Sequence, residues 1–349
     1  MKKKENVLHF EQDASFWRKR AADCLRAKDR AGMLRYLRTG RDAGSPECAA
    51  ELAKQYSISQ SFTSSDRELY HLFRRCGEQE IPDTAFYVAA CNALALGRWG
   101  TARAALDHYL AIAPDGEWAE NADALQFNYE DRFYPPEGSC LSRKYALRDR
   151  AYEALCAGDL PRAQDAADHM IPDAQLNIYD GAAALMRDEP EDALSLLNEA
   201  VTEIKDNFWA LALCALAHAR CHKSADALSL LSRALPLCSH MGQARLYCDI
   251  CIEMHLYSFA LDFCNEWTRQ FPDSVDCLLM KLRLYKAMGL KDKWVSTREE
   301  VLRLDPDAAA EERGTIFTRE QESLRTYILR AAHNDLKIGR EEDSGSTDE

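Results

Sequence analysis

Residues 83–114 read DTAFYVAACNALALGRWGTARAALDHYLAIAP. The first half is a helix-length run rich in Ala, ending at Leu96-Gly97. A second such run spans Thr101 to Ile112 and stops before Pro114. Gly97 suits the left-handed backbone that closes a helix, and Pro114 stands where the next helix must end. Nothing in the stretch alternates with period two, so no strand is predicted. The stretch predicts a helical hairpin closed by a proline.

The same grammar recurs outward from this unit. Ala163, Ala193, Ala227, Ala260 and Trp294 each fall at the opening of a second helix, separated by 30, 34, 33 and 34 residues. Pro272 and Pro306 close further units as Pro114 does. Composition agrees, since Ala (51) and Leu (42) dominate while Val (6) and Ile (11) are scarce. That is a helical vocabulary, which excludes a sandwich, a barrel or a doubly wound sheet.

In the unit from Asp83, the residues Phe86, Ala89, Ala90, Ala93, Gly97, Trp99, Ala102, Leu106, Tyr109 and Pro114 resemble the tetratricopeptide repeat family, in its bacterial multi-repeat type, slot for slot. The unit from Met241 carries Cys248, Tyr257, Ala260 and Pro272, and that from Val275 carries Gly289 and Pro306. The units from Lys144 (Ala151, Gly158, Ala163), Ala174 (Gly181, Ala193, Leu197, Ala200) and Phe208 (Ala215, Ala227, Leu231, Ala234) follow the same slots. The resemblance implies an all-α fold, a right-handed α-α superhelix or TPR-like solenoid of about eight helix pairs with a C-terminal capping helix.

Departures from the pattern mark particular hairpins. His222 and His255 replace the interhelical Gly and Trp294 replaces the anchor Ala, so those hairpins are expected to bend or splay differently. Near Ala14 the first unit keeps Trp17 and Ala21 but has Lys28 at the Gly slot and Met33 at the Ala slot. Residues 48–82 read as a degenerate repeat with helices near 46–58 and 64–77.

The expected organisation is a basic segment at 1–13, helical hairpins at 14–116, an acidic aromatic insertion at 117–143 and the repeat array at 144–308. A capping helix follows at 309–340, then an acidic disordered tail at 341–349. The insertion holds Trp118, Phe127, Tyr129, Phe133 and Tyr134 before Pro135-Pro136, too many aromatics to leave in water. It is expected to dock on the groove or on a partner. The cap opens with Thr318-Arg319-Glu320-Gln321, and Leu324, Tyr327, Ile328 and Ala331 form its apolar stripe.

The 349-residue chain is acidic, at net −13. No apolar run approaches the roughly 20 residues that cross a bilayer, and Met1 to Glu11 does not read as a signal peptide. Thirteen scattered cysteines fit reduced thiols in a cytoplasm better than a secreted disulfide framework. Cytoplasmic localisation without membrane contact is expected.

Chemistry-bearing patterns are sparse. Cys214, His218 and His222, with Cys248, Cys251 and His255 on the next unit, hold ligand types that zinc accepts. The competing reading makes the cysteines small buried core residues and places His222 and His255 at turns, which is favoured because no CxxC…CxxC or HExxH spacing occurs. No nucleophile elbow and no phosphate-binding Gly loop is present. The expectation is no enzymatic activity, no catalytic residue, no metal and no cofactor. Between Met1 and Arg41, 12 Lys/Arg face 5 Asp/Glu. These cations, among them Arg18, Lys19, Arg20, Arg35, Arg38 and Arg41, read as a solvated face rather than a nucleic-acid surface, because no stacking aromatics are interleaved.

The resemblance further implies that first helices line a concave groove. It places Tyr87, Arg148, Tyr152, Trp209, Arg220, Arg245, Asp249 and Arg283 there as partner-binding residues, beside Tyr145, Gln175, Ile178, Met186 and Leu216. The expected function is a scaffold or adaptor for a protein or peptide partner that presents an apolar anchor and acidic residues. The alternative is a regulatory sensor for a signalling peptide or small ligand, which a bound ligand buried within a closed ring would favour, whereas a long open groove would favour the scaffold. A metal-dependent enzyme is the third.

Overall fold

Helices begin where short polar side chains can cap them. The side chains of Asp29, Ser45, Asp173, Asn207 and Ser274 each accept an N–H from the first turn that follows. The computed structural model describes residues 14–77, 80–134, 140–157 and 159–308. Among these there are eighteen α-helices and no strand. They pair as α1 (Ala14–Arg26) with α2 (Arg30–Asp42), α3 (Pro46–Ile58) with α4 (Phe62–Arg75), and α5 (Asp83–Ala95) with α6 (Trp99–Ile112). The insertion supplies α7 (Ala119–Asn128) and α8 (Glu130–Phe133). Five more pairs follow: α9 (Cys140–Ala157) with α10 (Leu160–Ala167), α11 (Ala174–Met186) with α12 (Pro190–Glu203), α13 (Phe208–Arg220) with α14 (Ser224–Ala234), α15 (Met241–Glu253) with α16 (Tyr257–Gln270), and α17 (Val275–Ala287) with α18 (Lys291–Leu304). The result is an all-α superhelix of hairpins. Pro114, Pro272 and Pro306 each stand two residues past a second helix.

Seven of the hairpins turn in the same way. Lys28, Gln60, Gly97, Asp188, His222, His255 and Gly289 all adopt φ between 57° and 73°. The residue after each returns its N–H to the carbonyl five positions back, as in Arg98 to Ala93, Lys223 to His218 and Leu256 to Cys251, all at 2.8 Å. The expectation that His222 and His255 splay their hairpins is therefore corrected: both imidazole-bearing residues take the left-handed conformation that glycine was to supply. The consequence is local backbone strain rather than a different bend.

Small side chains let the helices approach. Ala89, Ala90, Ala93, Ala102 and Ala105 are buried between α5 and α6, and Cys248, Cys251, Cys264 and Cys277 fill equivalent slots among α15, α16 and α17. A Cβ added at Gly181 would lie 2.5 Å from Leu197 Cγ, so α11 and α12 touch only because that position has no side chain.

The array bites its own end. Met33, Leu34, Leu37, Leu52 and Tyr56 of the first two hairpins share one apolar cluster with Val275, Leu278, Leu282, Val301 and Leu304 of the last. Polar contacts frame it: Arg67 Nη2 to Asp305 Oδ2 at 2.5 Å, Arg41 to Glu68 at 2.6 Å and to Asp307 at 3.4 Å, and Tyr56 OH to the Leu304 carbonyl at 3.2 Å. The apolar end assigned in the sequence to a cap is met by the first two hairpins. The cap itself, the basic segment 1–13 and the acidic tail lie outside the described residues.

The insertion docks on its own chain, over α6. Phe133 and Ala122 are buried in the α5–α6 cluster, Trp118 stacks on Tyr87 at 5.3 Å and 8°, and Trp99 meets the edge of Tyr129 at 5.2 Å. Phe127 alone among its aromatics stands 77% exposed.

Candidate functional site

First helices of three successive hairpins, α9, α11 and α13, turn one face inward and wall a cavity of about 680 Å³. Tyr145, Arg148, Tyr152 and Leu155 come from α9; Gln175, Ile178, Tyr179 and Met186 from α11; Trp209, Leu213, Leu216 and Arg220 from α13. Spacings of three and four residues put these side chains on common helix faces. Across from them stand the α5–α6 turn (Leu94, Gly97, Trp99), Arg132 of α8, and His240 with Leu246 at the start of α15. The size lies within the range of small-molecule sites.

Aromatic contacts fix the walls. The Tyr152 and Trp209 rings meet edge to face at 5.3 Å and 74°, and the Tyr152 hydroxyl donates to the Leu96 carbonyl at 2.9 Å. Trp209 also lies 6.4 Å from the His240 ring. Gly97 faces the same wall at a backbone φ of +73°, where a Cβ would stand at ordinary contact distance, 3.4 Å from the Tyr152 hydroxyl and 3.5 Å from His240 Nε2. Burial raises the Tyr179 phenol to about 12 and lowers the His240 imidazole to about 4, so both are neutral at pH 7. His240 caps α15 by accepting the Gln243 N–H at Nδ1, 3.4 Å, which leaves the proton on Nε2.

Every arginine of the cavity is already matched. Arg132 pairs with Asp149 and lies 4.4 Å from the Tyr145 ring centroid. Arg148 and Lys144 share Asp173 at 2.8 and 3.0 Å; burial raises that carboxyl, but Lys144, the Leu176 N–H and Arg148 together hold it below its ordinary value. Arg220 grips Glu253 through two nitrogens at 2.6 and 3.2 Å and the Leu185 carbonyl at 2.8 Å. The cavity is thus apolar, aromatic and electrically balanced.

Of the residues expected in the groove, the structure brings Arg148, Tyr152, Trp209 and Arg220 together here. Tyr87 is elsewhere, stacked under Trp118 of the insertion. Arg245 is a correction: it is 7% exposed and pairs with Asp276 at 2.6 Å and with the Thr63 hydroxyl, inside the seam where the array closes. Asp249 and Arg283 pair with each other at 2.8 Å, away from the cavity lining. The acidic flank expected of a partner therefore loses the two cations assigned to it.

Trp99, Arg132, Tyr179 and His240 were missed. Trp99 opens α6 and His240 caps α15, helix ends whose facing depends on how far the superhelix coils, and Arg132 reaches in from outside the repeat period. Only Tyr179 carried a signal, one position past Ile178 on the same helix. The Cys/His sets do not gather: Cys214 Sγ meets Asn198 Oδ1 at 3.4 Å, His255 meets the Tyr257 hydroxyl at 2.8 Å, and His222 occupies an exposed turn. Among the described residues no group of three or more His, Cys, Asp or Glu is placed to hold a metal ion, and no helix is long and apolar enough to cross a membrane. The basic face of the first hairpin is used internally in part, since Arg30 reaches Asp273 at 3.6 Å, Arg38 the Leu304 carbonyl at 3.2 Å and Arg41 Glu68 and Asp307.

No family model and no curated protein matches the chain. Among solved structures it is similar to the APC/C hetero-tetramer Cut9-Hcn1 (12% identity, 93% of this chain and 86% of that chain, TM-score 0.34). It is similar also to the TPR domain of P58(IPK) (14%, 91% and 98%, 0.33) and to yeast Tom70 (11%, 91% and 84%, 0.37). At TM-scores of this size the likeness carries no argument, and the fold rests on the repeated hairpin and its left-handed turn.

Proposed function

We propose that the protein is a non-catalytic adaptor that holds a protein or peptide partner on its concave face, with an apolar side chain of the partner anchored against Tyr152 and Trp209. The observation that supports this reading is the convergence of Tyr152, Trp209, Arg148 and Arg220 on one cavity lined mainly by apolar side chains. Buried aromatic anchors dominate interface energies, and truncating one typically costs about 2 to 4 kcal/mol of binding. Arg148 and Arg220 contribute position rather than free charge, because Asp173 and Glu253 hold them.

Peptide display on the immobilised full chain tests it. Enriched peptides should share an apolar anchor, and Trp209→Ala should abolish their capture while the helical circular dichroism signal stays the same. Retained capture by Trp209→Ala, with loss on charge reversal of the exposed Arg18, Lys19 and Arg20, would move binding to the first hairpin.

Closure of the array favours a second reading. The first two hairpins and the last are joined by Arg67–Asp305 and by a shared apolar cluster, so the inner face is ringed rather than open-ended. A ligand in such a ring can bias how tightly the ends close, which is the behaviour of a sensor.

A further inference from the structure

We propose that the cavity walled by α9, α11 and α13 is a binding site for a small, uncharged aromatic molecule. This rests on the sensor reading, and its guest would occupy the same Tyr152 and Trp209 wall that the adaptor reading gives to a peptide anchor. Three observations carry it.

The first is enclosure. An extended chain following the inner face would have to pass between the Leu96-Gly97 turn and the α13–α15 wall, and these are in contact. Leu96 is fully buried in the same apolar cluster as Leu213, Ala217 and Met241, and its carbonyl accepts the Tyr152 hydroxyl. The site is therefore a chamber closed at that end and open to solvent at the rim marked by Met186 and Asp188, with room of about 680 Å³.

Charge balance is the second. Arg132, Arg148 and Arg220 are each held by a carboxylate, namely Asp149, Asp173 and Glu253. An anionic ligand would have to displace a carboxylate already in place, while a cationic one would find Asp149 held by Arg132 and only the exposed rim carboxylate Asp188, 3.9 Å from Arg220, loosely paired. Breaking a partly desolvated pair costs more than the replacement returns, so the chamber selects against net charge of either sign.

The third is ring chemistry. Tyr145, Tyr152, Tyr179 and Trp209 all line the chamber, and aromatic rings take a planar guest by offset or edge-to-face contact. His240 adds one neutral donor, Nε2–H, at the wall beside Gly97. One acceptor atom on the guest would complete it.

N-phenyl-1-naphthylamine and its sulfonated analogue 1-anilinonaphthalene-8-sulfonate share a ring system and differ by one negative charge, so fluorescence titration of the full chain with each isolates the effect of charge. The neutral probe should saturate at one per chain, and the sulfonate should bind at least about tenfold more weakly. Filling the chamber by Ala182→Trp, or at the exposed rim by Met186→Trp should the first fail to fold, should weaken the neutral probe by a similar factor. Competition by 2-naphthol should exceed that by a blocked Ala-Phe-Ala tripeptide. Equal or tighter binding of the sulfonate would overturn the inference, as would indifference to both filling variants or stronger displacement by the tripeptide. Peptide enrichment without saturable probe binding would overturn it too, while leaving the adaptor reading standing.

Discussion

Arg67 and Asp305, 238 residues apart, meet at 2.5 Å with almost no solvent exposure on either side chain. The pair ties α4 to the residue that follows α18, and beside it Arg41 bridges Glu68 to Asp307. The excess of cations in the first hairpin is thereby explained in part as one half of an internal clasp whose other half is acidic. Removing one member of a buried pair leaves the other unpaired and costs about 3 to 5 kcal/mol, whereas removing both with apolar substitutes is far less harmful.

Arg67→Ala should accordingly lower the denaturation midpoint sharply, and Arg67→Met combined with Asp305→Leu should recover most of the loss. Chemical denaturation followed by circular dichroism reads both. A single variant within about 1 kcal/mol of wild type would show that the closure of the ends does not depend on this pair.

The hairpin turns offer the opposite case, in which stability is held back. Lys28 and His222 are exposed, adopt φ of 59°, and bear side chains in a conformation that costs a non-glycine residue about 1 kcal/mol. Lys28→Gly and His222→Gly should each raise the melting temperature, and the two together should act additively because the turns are far apart. Gly97→Ala should lower it, since a side chain would be strained at its backbone φ of +73°. Unchanged melting in the two glycine variants would mean that the unfolded chain absorbs the gain.

What the sequence made legible follows from how local each feature is. Helix pairs, their turns and their closing prolines depend on neighbours within one 34-residue unit, so even the degenerate pair Pro46–Ile58 and Phe62–Arg75 emerged within a few residues of its predicted bounds. The side chains of Arg148, Tyr152, Trp209 and Arg220 turned inward as expected because helical register alone decides their direction. Closure was not legible. The run Thr63-Ser64-Ser65-Asp66-Arg67-Glu68 is polar enough to read as a solvated face, yet all six residues are buried, with Asp66 paired to Arg98 at 2.5 Å and to Asn92 at 2.7 Å. Ser65 and Asp66 are met by Asn92 and Arg98 of the next hairpin, but Thr63 and Arg67 are covered only by the return of the last two hairpins, through Arg245, Asp276 and Asp305. Arg245 was misplaced for the same reason, since its partners Thr63 and Asp276 come from opposite ends of the array.

His240 makes stability depend on pH in a defined window. Its folded-state pKa, about 4, lies below the ordinary 6.5, so the unfolded chain binds a proton that the folded chain resists. The stability it supports is complete above pH 6.5 and is lost as the pH falls towards 4, by on the order of 2 kcal/mol. His240→Asn keeps a capping oxygen for the first turn of α15 and cannot titrate. Its stability profile should therefore be flatter than wild type between pH 6.5 and 4, and parallel to it above 7. Parallel profiles throughout would place the acid sensitivity on the carboxylates instead.

Arg132 is the point at which the insertion reaches the cavity. Its guanidinium lies 4.4 Å from the Tyr145 ring centroid and 5.6 Å from that of Trp99 while pairing with Asp149, whose side chain is 15% exposed. A planar cation suits that arrangement, because a guanidinium can lie against the rings while one of its nitrogens donates to the carboxylate, and a compact ammonium cannot do both at once. Arg132→Ala should leave Asp149 half-buried without its cation and loosen α8 from α9. The core contacts of Phe133 and Ala122 should still hold α7 against α6. Limited proteolysis should then cut within 129–134 before any other site, with the overall melting temperature lowered by only a few degrees. Arg132→Lys should behave like the alanine variant rather than the wild type. Proteolysis at the wild-type rate in both variants would show that the insertion is held by its aromatic residues alone, and that Arg132 lines the cavity without latching it.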